Sequence, residues 1–374
     1  MKPEGLDADS TKLADLVQER NGLLSEVFNL NDFESLARRS MASDAFDYCA
    51  GGAGDEISLS ENVSSFARWK LRPRVLVDVS AIDISTEILG ARVAMPVGLA
   101  PTALQRLAHP EGEVATARAA AATGVVFCVS TLGSRTIEDV AEAAGKPVWF
   151  QLYVHKDRGV SRSLIERAEA SGYDALVVTV DLPVVGIRER DLRNHFAIAP
   201  ELYGNLVVAG NEGRELHELV HSLSDQALTW DDLAWIREVT SLPVVIKGIL
   251  TSEDAALAAE HGADAIVVSN HGGRQLDRTV LAIDVLEEVV EAVDGNLEVY
   301  MDGGVRRGSD VVTALALGAR AVFIGRPYLF ALAAGGQRGV ERALELLAAE
   351  VENAMALLGA REVGAITRAN VTRV

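Results

Sequence analysis

Residues 243–270 read PVVIKGILTSEDAALAAEHGADAIVVSN, and this stretch decides the fold. Apolar runs at 243–248 and 265–270 enclose a segment whose alanines and acidic residues recur at helical spacing. Short β-branched runs that alternate with amphipathic helices indicate strand–helix–strand units with parallel strands and a right-handed crossover. The stretch therefore predicts one such unit.

The same alternation extends along most of the chain. All but one of the segments between the apolar runs are about 15–27 residues long. Eight units predict an α/β fold, a closed (β/α)₈ TIM barrel. A doubly wound sheet is the alternative, but it predicts a glycine-rich fingerprint after its first strand, and GLAPTALQ at 98–105 is not one. The eight runs are 95–100, 125–130, 148–153, 175–181, 243–248, 265–270, 298–304 and 321–326.

One connection is much longer than the others. The segment 182–242, after the fourth run, has an irregular and polar middle, which indicates a long loop that acts as a lid or a disordered excursion. We expect residues 1–30 to form an acidic N-terminal arm. Residues 31–374 are predicted to form a single domain, with a helical and extended lead-in at 31–94 and the barrel at 95–374.

Composition restricts the class of protein. The chain has 374 residues, 49% of them hydrophobic, which is ample for a large core. A net charge of −19 argues against nucleic acid and anionic membranes as partners. The polar N-terminus, the lack of apolar runs of roughly 18 residues and the presence of only two cysteines predict a cytoplasmic protein that is not bound to a membrane. An acidic substrate would then need a local cluster of positive charge.

Polar residues follow nearly every predicted strand. In barrels of this kind the site lies at the carboxyl ends of the strands, so we expect these residues to meet. The glycines and arginines after the last two strands predict a phosphate site, although a Gly-Gly pair alone can merely permit a turn. The residues at the strand ends are Ala100, Pro101, Thr102, Ser130, Gln151, Tyr153, Thr179, Asp181, Lys247, Ser269, His271, Arg274, Asp302, Gly303, Gly304, Arg306, Gly325 and Arg326.

Two of these positions carry the chemistry that is easiest to interpret. His271 is a candidate general base and Arg274 offers a planar fork suited to a carboxylate, while the two glycines between them let the loop fold back. Asp181 could hold the imidazole. Lys247 lies within an apolar run, so it either forms a structural ion pair or faces an electron-rich atom of a cofactor.

An ordered set of motifs resembles the FMN-dependent (S)-2-hydroxy acid oxidases and dehydrogenases, a family that includes glycolate, lactate and hydroxymandelate oxidases. The resemblance covers about residues 30–370. The motifs are FDYCAGGAGDE, LRPRVLVDVS, APTALQRLAHPEGE, FQLYV, TVDLP, IKGIL, SNHGGRQLD, DGGVRRGSDV and IGRP.

The resemblance implies a role for each matching residue. His271 is the catalytic base with Asp181 behind it, Tyr153 contacts the substrate hydroxyl, and Lys247 lies beside flavin N1 and O2. The substrate carboxylate is held by Tyr48, Arg274 and Arg188. The remaining FMN contacts are Ala100, Pro101, Thr102, Ser130, Gln151, Thr179, Ser269, Asp302, Gly304, Arg306, Gly325 and Arg326. No metal site is assigned.

The implied reaction is oxidation of an (S)-2-hydroxy acid to a 2-oxo acid, with O₂ reduced to hydrogen peroxide. A dehydrogenase with another electron acceptor, a lactate monooxygenase and a flavin-binding barrel without turnover are the alternatives. Leu132 stands where glycolate oxidases have a tryptophan, which predicts a larger pocket for a lactate-like or larger side chain. Cys49 replaces a second tyrosine, and Tyr203 in the long loop is either a lid residue or an exposed tyrosine. By family analogy we expect a homotetramer.

Overall fold

A closed barrel of eight parallel strands forms the centre of the computed structural model, which describes residues 24–205 and 224–374. Each strand pairs with the next along the chain, and the last pairs with the first. This arrangement confirms the predicted TIM barrel. The barrel strands are β4 Val97–Leu99, β5 Phe127–Val129, β6 Val148–Leu152, β7 Ala175–Thr179, β8 Val244–Ile249, β9 Ala265–Val268, β10 Glu298–Asp302 and β11 Ala321–Ile324.

Helices connect the strands and surround the barrel. The longest of those described is interrupted at Gly335 and Gly336, whose backbone is not helical. None of the helices within the two described ranges is both long and apolar enough to cross a lipid bilayer. The barrel helices are α4 Glu113–Thr123, α5 Ile137–Ala143, α6 Arg158–Ala170, α7 Glu189–Arg193, α8 Asp232–Val239, α9 Ser252–Glu260, α10 Ala282–Val293, α11 Gly308–Ala316 and α12 Arg326–Leu358.

The interior of the barrel contains three large aromatic side chains that pack against one another. Trp149 packs against Tyr300 and Phe323 with ring centroids 5.6 Å and 5.5 Å away, and the latter two rings are 5.8 Å apart. All three are almost fully buried. Because side chains alternate along a strand, the inward position two residues further on lies one layer higher, toward the mouth. Gln151 and Asp302 occupy that higher layer on β6 and β10.

Before the barrel, the described residues include three α-helices of eight or nine residues and three short strands. Strand β1 pairs with β12 at the C-terminus, and β2 pairs with β3. The side chains of Leu24, Val27 and Leu30 are buried, so the packed part of the chain extends into the segment that we assigned to the acidic arm. Residues 1–23 of that arm lie outside the described residues. The elements are α1 Asp32–Ser40, α2 Ser43–Ala50, α3 Ile57–Ser64, β1 Trp69–Leu71, β2 Thr86–Ile88, β3 Ala91–Val93 and β12 Val371–Arg373.

Candidate active site

A cavity lies at the carboxyl ends of the strands. Its volume is about 1140 Å³, including the solvent space at its opening. Most of the predicted site residues line it: Tyr48, Ala100, Pro101, Thr102, Ser130, Tyr153, Arg188, Lys247, His271, Arg274, Asp302, Gly304, Arg306, Gly325 and Arg326. The predicted residues that do not line it are Gln151, Thr179, Asp181 and Ser269. Each of these four is a direct neighbour of a lining residue.

His271 and Asp181 form a hydrogen-bonded pair at one side of this cavity. Nδ1 of the imidazole lies 2.9 Å from Oδ1 of the carboxylate, and both side chains are largely buried. Burial alone would raise the pKa of Asp181, but the neighbouring His271 and Lys247 lower it below its ordinary value. An ionised carboxylate can only accept, so Nδ1 carries the proton and Nε2 is the basic nitrogen.

A left-handed turn aims His271 at the cavity. His271, Gly272 and Gly273 have φ angles of 57°, 62° and 75°, a conformation that costs a non-glycine residue about 1–2 kcal/mol. The side chains of the two residues before the turn stabilise it. The Oγ of Ser269 accepts the N–H of His271 at 3.0 Å, and Oδ1 of Asn270 accepts the N–H of Gly273 at 3.2 Å. The two glycines therefore allow His271 and Arg274 to face the same cavity.

Arg274 and Tyr48 lie together on the wall beside the turn. The guanidinium carbon is 4.9 Å from the centre of the Tyr48 ring, which stacks on Phe196 at 4.6 Å. Nη1 of Arg274 donates to the carbonyls of Tyr48 and Gly51 at 2.6 Å and 2.9 Å. Arg188 is buried alongside and donates from Nε to the carbonyl of Arg274 at 3.2 Å. Two guanidinium groups thus line one small volume.

The pKa values of the buried arginines indicate an excess of positive charge. Burial, reinforced by the charge of Arg274, lowers the pKa of Arg188 to about 10. The pKa of Arg326 also lies well below its ordinary value, because it is buried and close to Arg274 and Arg306. Adding an anion would relieve this repulsion. The local cluster of positive charge predicted for an acidic substrate is therefore present in a chain of net charge −19.

Lys247 belongs to a buried network that includes two other predicted residues. Its Nζ donates to Oγ of Ser269 at 2.9 Å and lies 3.3 Å from Oδ2 of Asp302, while Ser269 donates to Oδ1 of Asp302 at 2.6 Å. Burial acts to lower the pKa of Lys247, but the carboxylates of Asp302 and Asp181 outweigh it and hold the pKa above its ordinary value. The lysine is thus an ion-paired cation and also lines the cavity.

Two buried polar side chains of the barrel each have an atom without a hydrogen-bond partner among the described residues. Oε1 of Gln151 accepts from the hydroxyl of Ser130 at 3.3 Å and from the N–H of Thr131 at 3.1 Å, which leaves Nε2 unpaired. The Oγ1 of Thr179 is also unpaired. Leaving buried polar groups unsatisfied is costly, so these atoms indicate a polar ligand in the barrel mouth.

The loops after β10 and β11 hold the predicted phosphate residues. Gly303 and Gly304 are both left-handed, with φ angles of 96° and 81°. Helix α12 begins at Arg326, directly after Gly325, and both residues line this end of the cavity. The guanidinium of Arg326 itself donates to the carbonyls of Ala50, Gly51 and Gly272. It therefore also joins the lead-in to the turn at 271–273.

We expect Gly304→Ala to destabilise the protein and to reduce its FMN content. A Cβ at this position would lie 1.9 Å from the carbonyl oxygen of Asn62 in a backbone with φ of 81°. Strain and clash together should cost more than about 2 kcal/mol of unfolding free energy. Urea unfolding and flavin absorbance measure the two effects. Gly295→Ala is the control, since φ is 75° there but nothing lies within 4 Å; equal losses in both variants would contradict the clash.

Sequence reasoning missed one polar residue that lines the cavity. Asn62 comes from lead-in helix α3, and its amide exchanges two hydrogen bonds of 2.9 Å with the amide of Asn270. The rule of inspecting strand ends could not find it, because α3 precedes the barrel. Tyr203, considered as a lid residue, packs against the core and donates to the carbonyl of Ile198 at 3.5 Å. It does not line this cavity.

The sequence matches the family model for FMN-dependent dehydrogenases over residues 37–373. The chain belongs to this family. An L-lactate oxidase from Nostoc sp. is 51% identical over 350 residues, which cover 90% of this chain and 95% of the relative. Glycolate oxidase from Spinacia oleracea is 46% identical over 355 residues, covering 92% and 96%. These matches confirm the resemblance inferred from the motifs.

Solved structures of similar proteins have the same fold as this chain. A crystal structure of mandelate oxidase with (S)-4-hydroxymandelic acid has a TM-score of 0.89 to this chain at 45% identity, covering 93% of this chain and 99% of that one. The family identifies the protein as an FMN-dependent oxidoreductase. The residues present fit FMN on chemical grounds. The unpaired Gln151 and Thr179 can bond the polar edge of a flavin ring, and the glycine turns and arginines suit its phosphate.

Proposed function

We propose that the protein oxidises an (S)-2-hydroxy acid with a lactate-like or larger side chain to the 2-oxo acid, while O₂ is reduced to hydrogen peroxide. The observation that carries the proposal is the 2.9 Å pair of His271 and Asp181 on a cavity shared with Arg274, Tyr48 and Tyr153. A base, a carboxylate-binding cation and two phenols are the groups that such a substrate requires.

The carboxylate of the substrate binds at Arg274. Among the described residues, the hydrogen bonds of its guanidinium to protein atoms come from Nη1, so the remaining N–H groups can serve a ligand. Arg188 adds a second positive charge, and Tyr48 can donate from its phenol. Burial raises the pKa of the Tyr48 hydroxyl, which therefore stays protonated at neutral pH. The two oxygens of a carboxylate can accept a pair of hydrogen bonds from a planar guanidinium, whereas the ammonium of a lysine acts as a point charge.

The substrate hydroxyl lies between His271 and Tyr153. Burial and the nearby Asp181 raise the pKa of the Tyr153 phenol, so it remains a hydrogen-bond donor to the hydroxyl oxygen. Nε2 of His271 takes the hydroxyl proton, and Asp181 stabilises the imidazolium that forms. Bound FMN supplies the two-electron acceptor for the carbon–hydrogen bond. Lys247 contributes a fixed positive charge in the barrel mouth.

The pocket for the side chain supports a substrate larger than glycolate. Leu132, Val185 and Leu182 line the cavity together with Ala103. All four are aliphatic and provide an apolar wall without a bulky indole. Such a wall suits an alkyl or aryl substituent on the carbon that bears the hydroxyl. Leu132 is only partly buried, so part of its surface is available to that substituent.

Oxygen consumption with a series of 2-hydroxy acids tests the proposal. Both enantiomers of substrates from glycolate to mandelate are offered to the FMN-loaded protein, and peroxide is measured against oxo acid. Peroxide in near-stoichiometric yield from (S)-substrates is expected. Acetate from lactate would instead mean a monooxygenase, and bleaching of the flavin without oxygen uptake would mean a dehydrogenase. A yellow protein that no substrate bleaches would favour a barrel without turnover.

We expect kcat/KM to fall as the pH drops through the pKa of His271. Burial lowers this pKa below its ordinary value of 6.5; Asp181 opposes the shift, and Lys247 and Arg188 add to it. Above the pKa the imidazole is neutral and acts as the base, so activity is lost on the acid side. In Asp181→Asn the acid limb should move to lower pH, because the anion that stabilises the imidazolium is gone. A limb unmoved by this substitution would contradict the pairing.

We also propose a cytoplasmic homotetramer. Support for assembly comes from the exposed apolar side chains Val184, Ile187 and Leu276, which lie around one surface pocket. The two cysteines, Cys49 and Cys128, are free and buried, which suits a reducing compartment. Analytical ultracentrifugation of the FMN-loaded protein distinguishes a tetramer from smaller species.

A further inference from the structure

Hydrogen bonds at three places join loop 271–277, which carries His271 and Arg274, to segment 48–58 of the lead-in. At one end, Nη1 of Arg274 donates to the carbonyls of Tyr48 and Gly51. In the middle, the N–H of Ala53 donates to the carbonyl of Gly273 at 2.9 Å. At the other end, the carboxylate of Asp277 accepts the N–H groups of the residues that open helix α3. Segment 48–58 and loop 271–277 are therefore bonded to each other at three places.

Asp277 makes the bonds that a helix cap would normally make. The N–H groups in the first turn of a helix have no partners within the helix. In α3, the residue before the helix, Glu56, makes no side-chain cap bond and has a left-handed φ of 60°. Asp277 substitutes for it, accepting through Oδ1 from the N–H of Ser58, 219 residues earlier in the chain, at 2.8 Å and through Oδ2 from the N–H of Asp55 at 3.0 Å. A weaker contact of 3.4 Å reaches Ile57.

This cap fixes helix α3 to the loop that carries His271 and Arg274. There is little slack in the contact, since a Cβ on Gly54 would lie 3.1 Å from Oδ2 of Asp277. Segment 48–58 is short, so we expect a shift at the Asp277 end to reach Tyr48 at the other end. The distance at stake is the 4.9 Å between the Arg274 guanidinium and the Tyr48 ring.

We propose that Asp277 is a positioning residue for carboxylate recognition: by capping α3 from the catalytic loop, it holds Tyr48 at the correct distance from Arg274. The inference rests on the proposed function, because it takes Tyr48 and Arg274 as the groups that bind the substrate carboxylate. Asp277 itself lies outside the cavity and touches no substrate.

Asp277→Asn in the FMN-loaded protein tests this role. The amide keeps the shape of the side chain but can accept through one oxygen only, so the cap is half lost. We expect the Kd of oxalate, a carboxylate that is not oxidised as a 2-hydroxy acid, and the KM for L-lactate each to rise on the order of tenfold, equivalent to about 1.4 kcal/mol. Flavin absorbance measures oxalate binding without turnover. The kcat and the FMN content should change little.

Asp55→Asn is the matched control. Asp55 is an exposed carboxylate next to the same loop, and it pairs with exposed Arg278 rather than capping the helix. It should leave the Kd unchanged. Asp277→Glu keeps the charge but displaces the carboxylate by one methylene, and we expect weakened oxalate binding there as well. This variant carries the test if Asp277→Asn fails to retain FMN.

Three outcomes would overturn the inference. They are an unchanged Kd in Asp277→Asn with only a lower melting temperature, wild-type oxalate binding in Asp277→Glu, and an equal loss in Asp55→Asn. A wild-type protein that binds oxalate but oxidises no 2-hydroxy acid would instead contradict the proposed function, and the titration would still test Asp277. A wild-type protein that binds no carboxylate would overturn both.

Discussion

His271→Ala should lower kcat by on the order of 10³ while FMN remains bound, since a positioned general base contributes roughly 10²–10⁴ to the rate. The imidazole is the proposed base, its Nδ1 lies 2.9 Å from Oδ1 of Asp181, and no other histidine lines the cavity among the described residues. Stopped-flow reduction of the flavin under anaerobic conditions measures the chemical step directly. Flavin absorbance after gel filtration measures the bound cofactor.

His261→Ala is the control for this variant. His261 lies at the end of helix α9 and stacks on Trp230, away from the cavity. The His261→Ala variant should reduce its FMN at the wild-type rate. If His271→Ala loses its flavin, or if its flavin is reduced at a rate close to that of the wild type, the imidazole is not the base.

Arg274→Lys should raise KM strongly, by about one to two orders of magnitude, because hydrogen bonds to charged groups contribute about 1.5–3 kcal/mol. A lysine cannot form the bidentate fork and at the same time hold the carbonyls of Tyr48 and Gly51. Steady-state kinetics with the best substrate and titration with oxalate both measure the loss. The flavin should remain bound.

Arg278→Lys provides the comparison on the same loop. Its guanidinium is exposed and pairs with Asp55 at 2.9 Å, so the substitution should leave KM unchanged. An Arg274→Lys variant with wild-type KM would place the carboxylate elsewhere, with Arg188 the nearest alternative cation. The pair of variants therefore separates the recognition of an anion from a general effect of the loop.

The barrel and its polar mouth could be predicted because both follow from local pattern. A buried parallel strand is apolar on both faces, so each strand is visible as a continuous run. The residue that follows the run must then lie at the mouth, whatever its neighbours are. The residues predicted in this way include Lys247, Ser269 and Asp302, which come from three different strands and share one hydrogen-bond network.

The contributions of the lead-in could not be predicted in this way. Asn62 lies on a helix that precedes the barrel, and the cap on that helix is Asp277, more than 200 residues later. Periodicity indicates which face of a helix is buried, but not which distant loop covers it. Likewise, the sequence could not indicate that Arg326 would bond three carbonyls. Such contacts depend on how the folded lead-in packs against the loops of the barrel.

The rings of Trp149, Tyr300 and Phe323 fill the interior of the barrel, and Phe323 lines the cavity at its mouth. In the proposed oxidase reaction, the organic acid and dioxygen use this one cavity in turn. The oxo acid then has to leave the cavity before dioxygen can reach the flavin. Use of one cavity in turn favours double-displacement kinetics, in which double-reciprocal lines at different oxygen concentrations run parallel, and it makes the oxo acid compete with dioxygen for the reduced enzyme.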